Sequence, residues 1–334
     1  MSKIAVTGSL HYDIMLDAPH RPEKGETVMG SACHYKFGGK GGNQAVAAAR
    51  AGAAVRFAGA VGSDPQGRFL LDQLRQAGVD CTAVTTVDHL PSGISVAITD
   101  AEGDYGAVVV SNANQHIALA AFDQPAFWQD VTMLVLQNEV PEAVNLRAAQ
   151  AARSRGIAVC VNAAPARTLS AEFERCIDLL VVNAIEARDM CQISVQDLAS
   201  ARAAAEALGR RFARVVVTAG EHGVAYSEAG HSESLAAQKV TLVSTHGAGD
   251  CFVGAVSALK RRGNAGGCGS GGEPGGGRAR VATAALINRR AASVTLHALP
   301  YDATFTTVLP KFLPFSISIN ACGAFSSPSI TCSR

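Results

Sequence analysis

The sequence predicts an α/β protein: one doubly wound, mainly parallel sheet, with a small β-sheet standing apart from it as a lid. Three observations carry this. Strand patterns that are nearly all apolar alternate with helical patterns as far as Gly220. Two stretches carry β patterns in place of that alternation. Two glycine-rich turns, in "FGGKGGNQAVAAA" and "THGAGDCFVGAVSALK", each open an apolar helix. Apolar strands alternating with helices imply parallel pairing with both sheet faces covered.

"KIAVTG" is a short apolar strand ending at Gly8. "NQAVAAARAGA" is helical, with Ala and Arg favouring it and Gly52 stopping it. "VRFAGAVG" is a strand, and "PQGRFLLDQLRQAGVD" an amphipathic helix with Phe69, Leu70 and Leu74 on one side. There follow strand-like "VTMLVLQ", helical "EAVNLRAAQAARSRG", strand-like "IAVCVNAAP" and "LLVVNA", a helix around "DLASARAAAEALGRR", and strand-like "RVVVTAG". The exceptions are "HYDIMLDAP" with "ETVMGSACHYKF", and the hairpin-like "SGISVAITDAEGDYGAVVVSN", expected to form a separate antiparallel sheet. The expected organisation is a main domain over 1–262, with the lid drawn from about 11–40 and 91–115. Residues 263–278, including "GNAGGCGSGGEPGGG", have flexible-linker composition. In the atypical segment 279–334, "ARVATAALINRRAASVTL" has a helical pattern and "FSISINACGAFSSPSITCSR" has none.

Composition narrows the function. With 48% hydrophobic residues the chain can bury a large core, and a formal net charge of +1 with no basic block argues against a nucleic-acid partner. "MSKIAVTGSL" lacks the apolar stretch of a signal peptide, and no run approaches the roughly 20 apolar residues of a membrane span. Nine cysteines, an odd number with no CxxC pair, read as free thiols of a cytoplasmic protein. His11, His34, His116, His222 and His246 show no metal-ligand spacing, so no structural metal is expected.

The turn Gly247, Ala248, Gly249 would expose backbone N–H groups at a helix N-terminus, which favours an anion. An acid at Asp250 opposes pure anion binding. It suits a base that takes a proton from a hydroxyl attacking a phosphate, or a plain helix cap. In the other turn Lys40 and Asn43 offer donors while Gly38, Gly39, Gly41 and Gly42 leave space for a ligand, though a tight strand-to-helix connection reads the same way. Asp13, Glu139, Asn183, Glu186, Thr218 and Gly220 follow successive strands, where open α/β sheets bind ligands. "GCGSGG" matches GxGxxG but follows no strand, and is not read as a dinucleotide site.

From Lys3 to Arg262 these elements, in this order, resemble the ribokinase, or phosphofructokinase B, family of sugar kinases. The resemblance rests on "GSLHYD", "GETVMG", "FGGKGGNQAVAAARAG", "VGSDPQG", "NAAPAR", "VVNAIEA", "VTAGEHGV" and "GAGDCFVGA". It implies a ribokinase-like fold, a β lid used as a homodimer contact, and ATP- and Mg²⁺-dependent phosphorylation of a sugar hydroxyl. Position by position, it implies Asp250 as base and Gly247, Ala248 and Gly249 as anion hole. His11, Asp13, Gly39, Lys40, Gly41, Gly42, Asn43 and Glu139 match the sugar side. Asn183, Thr218, Ala219, Gly220, Glu221, His222, Gly223, Gly249 and, weakly, Asn288 match ATP contacts, and Glu186 matches an acid linked indirectly to Mg²⁺.

The chain also departs from the family pattern. His11 stands where members carry Asn, which bears on the choice of sugar. Ser244 replaces the first Asp of D-T-x-G-A-G-D, which weakens a monovalent-cation site. The last residues resemble nothing in the family. Ribose or a related pentose or hexose is the expected acceptor. A nucleoside or polyol kinase and a non-catalytic carbohydrate-binding relative are the alternatives, and the intact "GAGD" speaks against the last.

Overall fold

The computed structural model describes residues 2–102, 105–238 and 247–264. In chain order the elements are β1 (Lys3–Thr7), β2 (His11–Asp17), β3 (Ala32–Gly38), α1 (Lys40–Arg50), β4 (Ala54–Gly62), α2 (Pro65–Gln76), β5 (Asp80–Val87), β6 (Ile94–Thr99) and β7 (Tyr105–Val110). They continue with α3 (Pro125–Trp128), β8 (Val131–Gln137), α4 (Glu142–Arg153), β9 (Ala158–Asn162), α5 (Ala171–Glu174), β10 (Leu179–Asn183), α6 (Ala184–Cys191), α7 (Leu198–Leu208), β11 (Arg214–Thr218), β12 (Gly223–Glu228), β13 (His231–Ala236) and α8 (Ala248–Asn264).

Nine strands form the main sheet in the order β13-β12-β11-β10-β9-β8-β1-β4-β5. Its strands from β5 to β11 pair in parallel, as the apolar runs predict. Alternate side chains of one strand feed opposite faces. Met133 and Val135 of β8 join the core under α1, α2 and α8, while Leu134 and Leu136 join the core under α4 and α7. The chain winds outward from β1 in both directions, so the boundary between β1 and β8 is a topological switch point, where such sheets open a crevice at the strands' C-terminal ends.

Two findings go beyond the sequence reading. The sheet ends in an antiparallel hairpin, β12–β13, whose turn residues Ala229 and Gly230 both have positive φ, 51° and 80°. The small sheet, β3-β2-β6-β7, is mixed rather than antiparallel. Its hairpins β2–β3 and β6–β7 are antiparallel, but β2 and β6 run parallel because the α1-β4-α2-β5 excursion between them returns the chain to the same end.

Helix α8 crosses α1 closely. A Cβ on Gly254 would lie 2.6 Å from the backbone oxygen of Gln44 and 2.6 Å from the Ala47 Cβ, so only glycine admits this approach. Helix α8 also continues through Gly263 and Asn264, two residues into the stretch expected to be linker. The rest of 263–278, the segment 279–334, Ser244, His246 and Asn288 lie outside the described residues.

Candidate active site

Four turns meet at the switch point: the segment after β1, the start of α1, the segment after β8, and the start of α8. Gly39, with φ of +88°, turns the chain from β3 into α1. Lys40, Gly41 and Gly42 therefore lie inside the helix rather than in the preceding turn. A Cβ on Gly41 would meet the Gly8 carbonyl carbon at 2.6 Å, so glycine brings the head of α1 against the end of β1.

Glu139 closes this corner. Its Oε2 accepts from the Ser9 hydroxyl at 2.5 Å and from the Lys40 backbone N–H at 2.9 Å. The His11 Nδ1 lies 3.9 Å from the same oxygen, and its Nε2 is buried without a hydrogen-bond partner among the described residues. Asp13 does not follow the first strand directly, as the sequence suggested. It sits within β2, buried, with its carboxylate where a Cβ on Gly38 would fall. Two ligand-sized polar groups, Asp13 and His11, thus lie on the lid strand that borders the cleft.

Asp250 lies in the first turn of α8 with 7% of its surface exposed. Its Oδ1 accepts from Gln44 Nε2 at 2.9 Å and its Oδ2 from Asn43 Nδ2 at 3.3 Å. These bonds tie it to α1. Burial pushes its carboxyl above the ordinary value, Lys40 and the amide donors oppose the shift, and Glu139 adds to it. The first bond within α8 runs from the Cys251 N–H to the Gly247 C=O at 2.9 Å, which leaves the N–H groups of Ala248, Gly249 and Asp250 no carbonyl inside the helix. No described atom lies within 4 Å of a Cβ placed on Gly247 or Gly249.

The other half of the cleft sits on β10 and β11. Asn183 and Thr218 end adjacent strands and pair directly in register. Asn183 caps α6 in a capping box: its side chain accepts from the Ile185 and Glu186 N–H groups, while Glu186 accepts from the Asn183 backbone N–H at 2.7 Å and side chain at 2.8 Å. Burial raises the Glu186 carboxyl, against Asn183 and Lys40. Beyond Thr218 and the buried Ala219, a short 3₁₀ turn exposes Gly220, Glu221 and His222, and Gly223 reverses the chain with φ of 124°.

The pfkB family carbohydrate kinase pattern matches residues 1–265. The chain belongs to the pfkB family of carbohydrate kinases. It is 36% identical to the ribokinase of Bacillus subtilis over 267 residues, covering 79% of this chain and 87% of that protein. It is 34% identical to the ribokinase of Haemophilus influenzae over 259 residues, 77% of this chain and 85% of that one. Its fold superposes on the crystal structure of ribokinase from Cryptococcus neoformans in complex with ADP with a TM-score of 0.68 and 30% identity, covering 78% of this chain and 88% of that one. This kinase therefore phosphorylates a sugar hydroxyl at the expense of ATP.

Within the kinase fold the glycine turns, Glu139 and Asp250 gather at one corner, and Asn183, Glu186 and the 218–223 loop at the next pair of strand ends. Sequence reasoning missed Ser9, Gln44, Gln137 and Asn162. All are buried and hydrogen-bonded around Glu139 and Asp250; Ser9 and Gln44 sit in glycine motifs that drew the attention, while Gln137 and Asn162 end the apolar strands β8 and β9.

Proposed function

We propose that this kinase transfers the γ-phosphoryl group of ATP to ribose or a closely related pentose, with Asp250 as the general base. The observation that carries this reading is the placement of a buried carboxylate at the head of α8, against the glycine-lined start of α1. The raised carboxyl of Asp250 brings its proton affinity closer to what a hydroxyl proton demands. Asp250 takes the hydroxyl proton as the sugar oxygen attacks the γ-phosphorus. The bond to the β–γ bridging oxygen breaks and ADP leaves. The N–H groups of the Gly247–Gly249 turn and the α8 dipole face the charge that develops on the transferred group.

Glu139 has Oε2 engaged and Oε1 left for a sugar hydroxyl, and Asp13, Lys40, Asn43 and the backbone at Gly39, Gly41 and Gly42 complete that side. The unpartnered Nε2 of His11 offers one more polar contact and helps choose the sugar. Asn183 and the loop Thr218–Gly223 hold the nucleotide. Mg²⁺ would arrive with ATP, neutralising phosphate charge, and Glu186, whose two oxygens accept from Asn183, would help hold it indirectly. The resemblance to ribokinases, at 34–36% identity, supports ribose. The test is ADP release with ATP and Mg²⁺ across pentoses, hexoses and nucleosides. Ribose is expected to give the highest kcat/KM, and a nucleoside preferred over every sugar would overturn the assignment.

We also propose a homodimer through the lid. Tyr35 on β3 and Val108, Val109 and Val110 on the edge strand β7 are exposed, an apolar surface unusual on an isolated sheet. Val108→Glu is expected to shift sedimentation toward the monomer, and an unchanged parent monomer would refute the dimer. A cytoplasmic location, where ATP is abundant, is part of this proposal; among the described residues no helix is long and apolar enough to cross a membrane.

A further inference from the structure

We infer that Gln44 is a positioning residue for Asp250: a chain of three buried amides, fixed in one orientation by a backbone carbonyl, grips one carboxylate oxygen and leaves the other for the acceptor hydroxyl. This rests on the reading of Asp250 as the base.

The chain begins at Val181. Its carbonyl can only accept, so Asn162, which meets it at 3.1 Å, must turn its Nδ2 toward β10 and present Oδ1 to Gln44. Gln44 must then turn its own Nε2 that way, and the same nitrogen donates to Asn162 Oδ1 at 3.0 Å and to Asp250 Oδ1 at 2.9 Å. On its other side the Gln44 Oε1 accepts from Gln137 Nε2 at 2.8 Å. Flipping the Gln44 amide would set oxygen against two acceptors and nitrogen against a donor. One orientation survives, and it ends in a donor aimed at the carboxylate.

Packing makes the arrangement stiff. Gln44 and Gln137 are fully buried, and Asn162 nearly so. Gln137 fits only because Gly8 lacks a side chain, since a Cβ there would fall 1.9 Å from Gln137 Oε1. Gly254, one helical turn beyond Asp250, lets α8 press on the backbone of Gln44 itself. Buried amide networks are costly to leave half satisfied; here the Gln44 and Asn162 amides are oriented, while Gln137 Oε1 has no partner among the described residues. Asp250 Oδ2, by contrast, has among the described hydrogen bonds the long 3.3 Å contact to Asn43 and is the oxygen left to take the proton.

The charged and titratable groups that face Asp250 are Lys40 from α1, Glu139 from the segment after β8, Glu186 from α6, and Cys251 beside it on α8. Against that background the Gln44 donor favours the ionised carboxylate, and removing it raises the proton affinity of the base.

The test is the pH dependence of kcat for Gln44→Met, which keeps the volume without the donor, beside Gln44→Glu and Asn162→Leu, with ATP, Mg²⁺ and ribose. We expect kcat for Gln44→Met to fall by roughly 10–100-fold, the scale of one hydrogen bond to a charged group. The KM values of both substrates should hold, and the acidic limb of the profile should move to higher pH. Gln44→Glu should move that limb further, and Asn162→Leu, which frees the far end of the chain, should move it less. An unmoved limb in a variant that melts normally, or a rise in ribose KM with kcat intact, would overturn the positioning role. If Gln44→Met does not fold, Asn162→Leu decides by the same limb. Asp250→Asn runs alongside: near-parental turnover there would remove the base itself, an outcome distinct from an intact base that ignores Gln44.

Discussion

On the α1–α8 side of the cleft, the hydrogen bonds that hold the site join residues far apart in the chain: Lys40 to Glu139 across 99 positions, Ser9 to Glu139 across 130, Gln44 to Asp250 across 206. On the β10–β11 side they are local. Asn183 and Glu186 satisfy each other three positions apart, and the loop from Gly220 to His222 stands exposed. The first half exists only when the whole fold is closed, and its bonds are buried or partly buried. The second half is a capping box and a turn that their own short sequences specify. In the proposed reading, the half that must match a sugar hydroxyl by hydroxyl is built rigidly, whereas the half that holds the nucleotide tolerates a looser frame.

That contrast can be broken or sharpened by substitution. The largest effect outside the base is expected from Glu139→Ala. It strands the Ser9 hydroxyl and the Lys40 N–H and removes an acceptor for the sugar. At about 1–3 kcal/mol for each buried group left unpaired, kcat/KM for ribose should fall by roughly 10²-fold or more. Steady-state rates at varied ribose check this, and an equal loss in ATP affinity would blur the two halves. Next comes Asp13→Ala, with a ribose KM raised by a factor corresponding to about 1–3 kcal/mol and an ATP KM held. His11→Asn should shift the substrate profile toward ribose, and an unchanged profile would exclude His11 from sugar choice.

Thermal melts read the electrostatic side of the comparison. The folded-state carboxyl of Asp250 is raised above its ordinary value of 3.8 by burial. The native state therefore binds the proton more tightly than the unfolded chain, and the ionised group costs stability. That cost is full above the raised folded value and vanishes as pH falls toward the ordinary one. The melting temperature of Asp250→Asn, relative to the parent, should thus rise as pH climbs above the ordinary carboxylate value of 3.8. A difference that is flat with pH would mean Asp250 is not strained by burial. The smallest effect is expected from His222→Ala on the exposed loop: a few-fold higher ATP KM, within about 1 kcal/mol, with ribose KM unchanged.

The same contrast decides how much the sequence could tell. The parallel strands were legible because both faces of the sheet are covered, so Val159, Cys160 and Val161, like Val215, Val216 and Val217, read as unbroken apolar runs. The glycine turns were legible because Gly39 and Gly41 each meet backbone where no side chain fits. The Asn183–Glu186 pair was placed at a strand end and by its resemblance to the family's N-x-x-E, and the capping box that joins the two is local. Gln44, Gln137 and Asn162 could not, since nothing in a lone buried amide says which distant group it holds. The β12–β13 hairpin had a signal, Gly230 between alternating segments, but the expectation of a parallel sheet hid it. The parallel pairing of β2 with β6 depends on where a long excursion returns, which no local pattern encodes.

In the proposed mechanism Asp250 removes the acceptor proton while the sugar is bound by other groups. Asp250→Asn measures it most directly, with turnover followed by ADP release and ribose binding by calorimetry on the same preparation. A loss of roughly 10²–10⁴-fold in kcat is expected, with ribose affinity largely retained. Near-parental turnover, or loss of ribose binding in step with loss of rate, would contradict it.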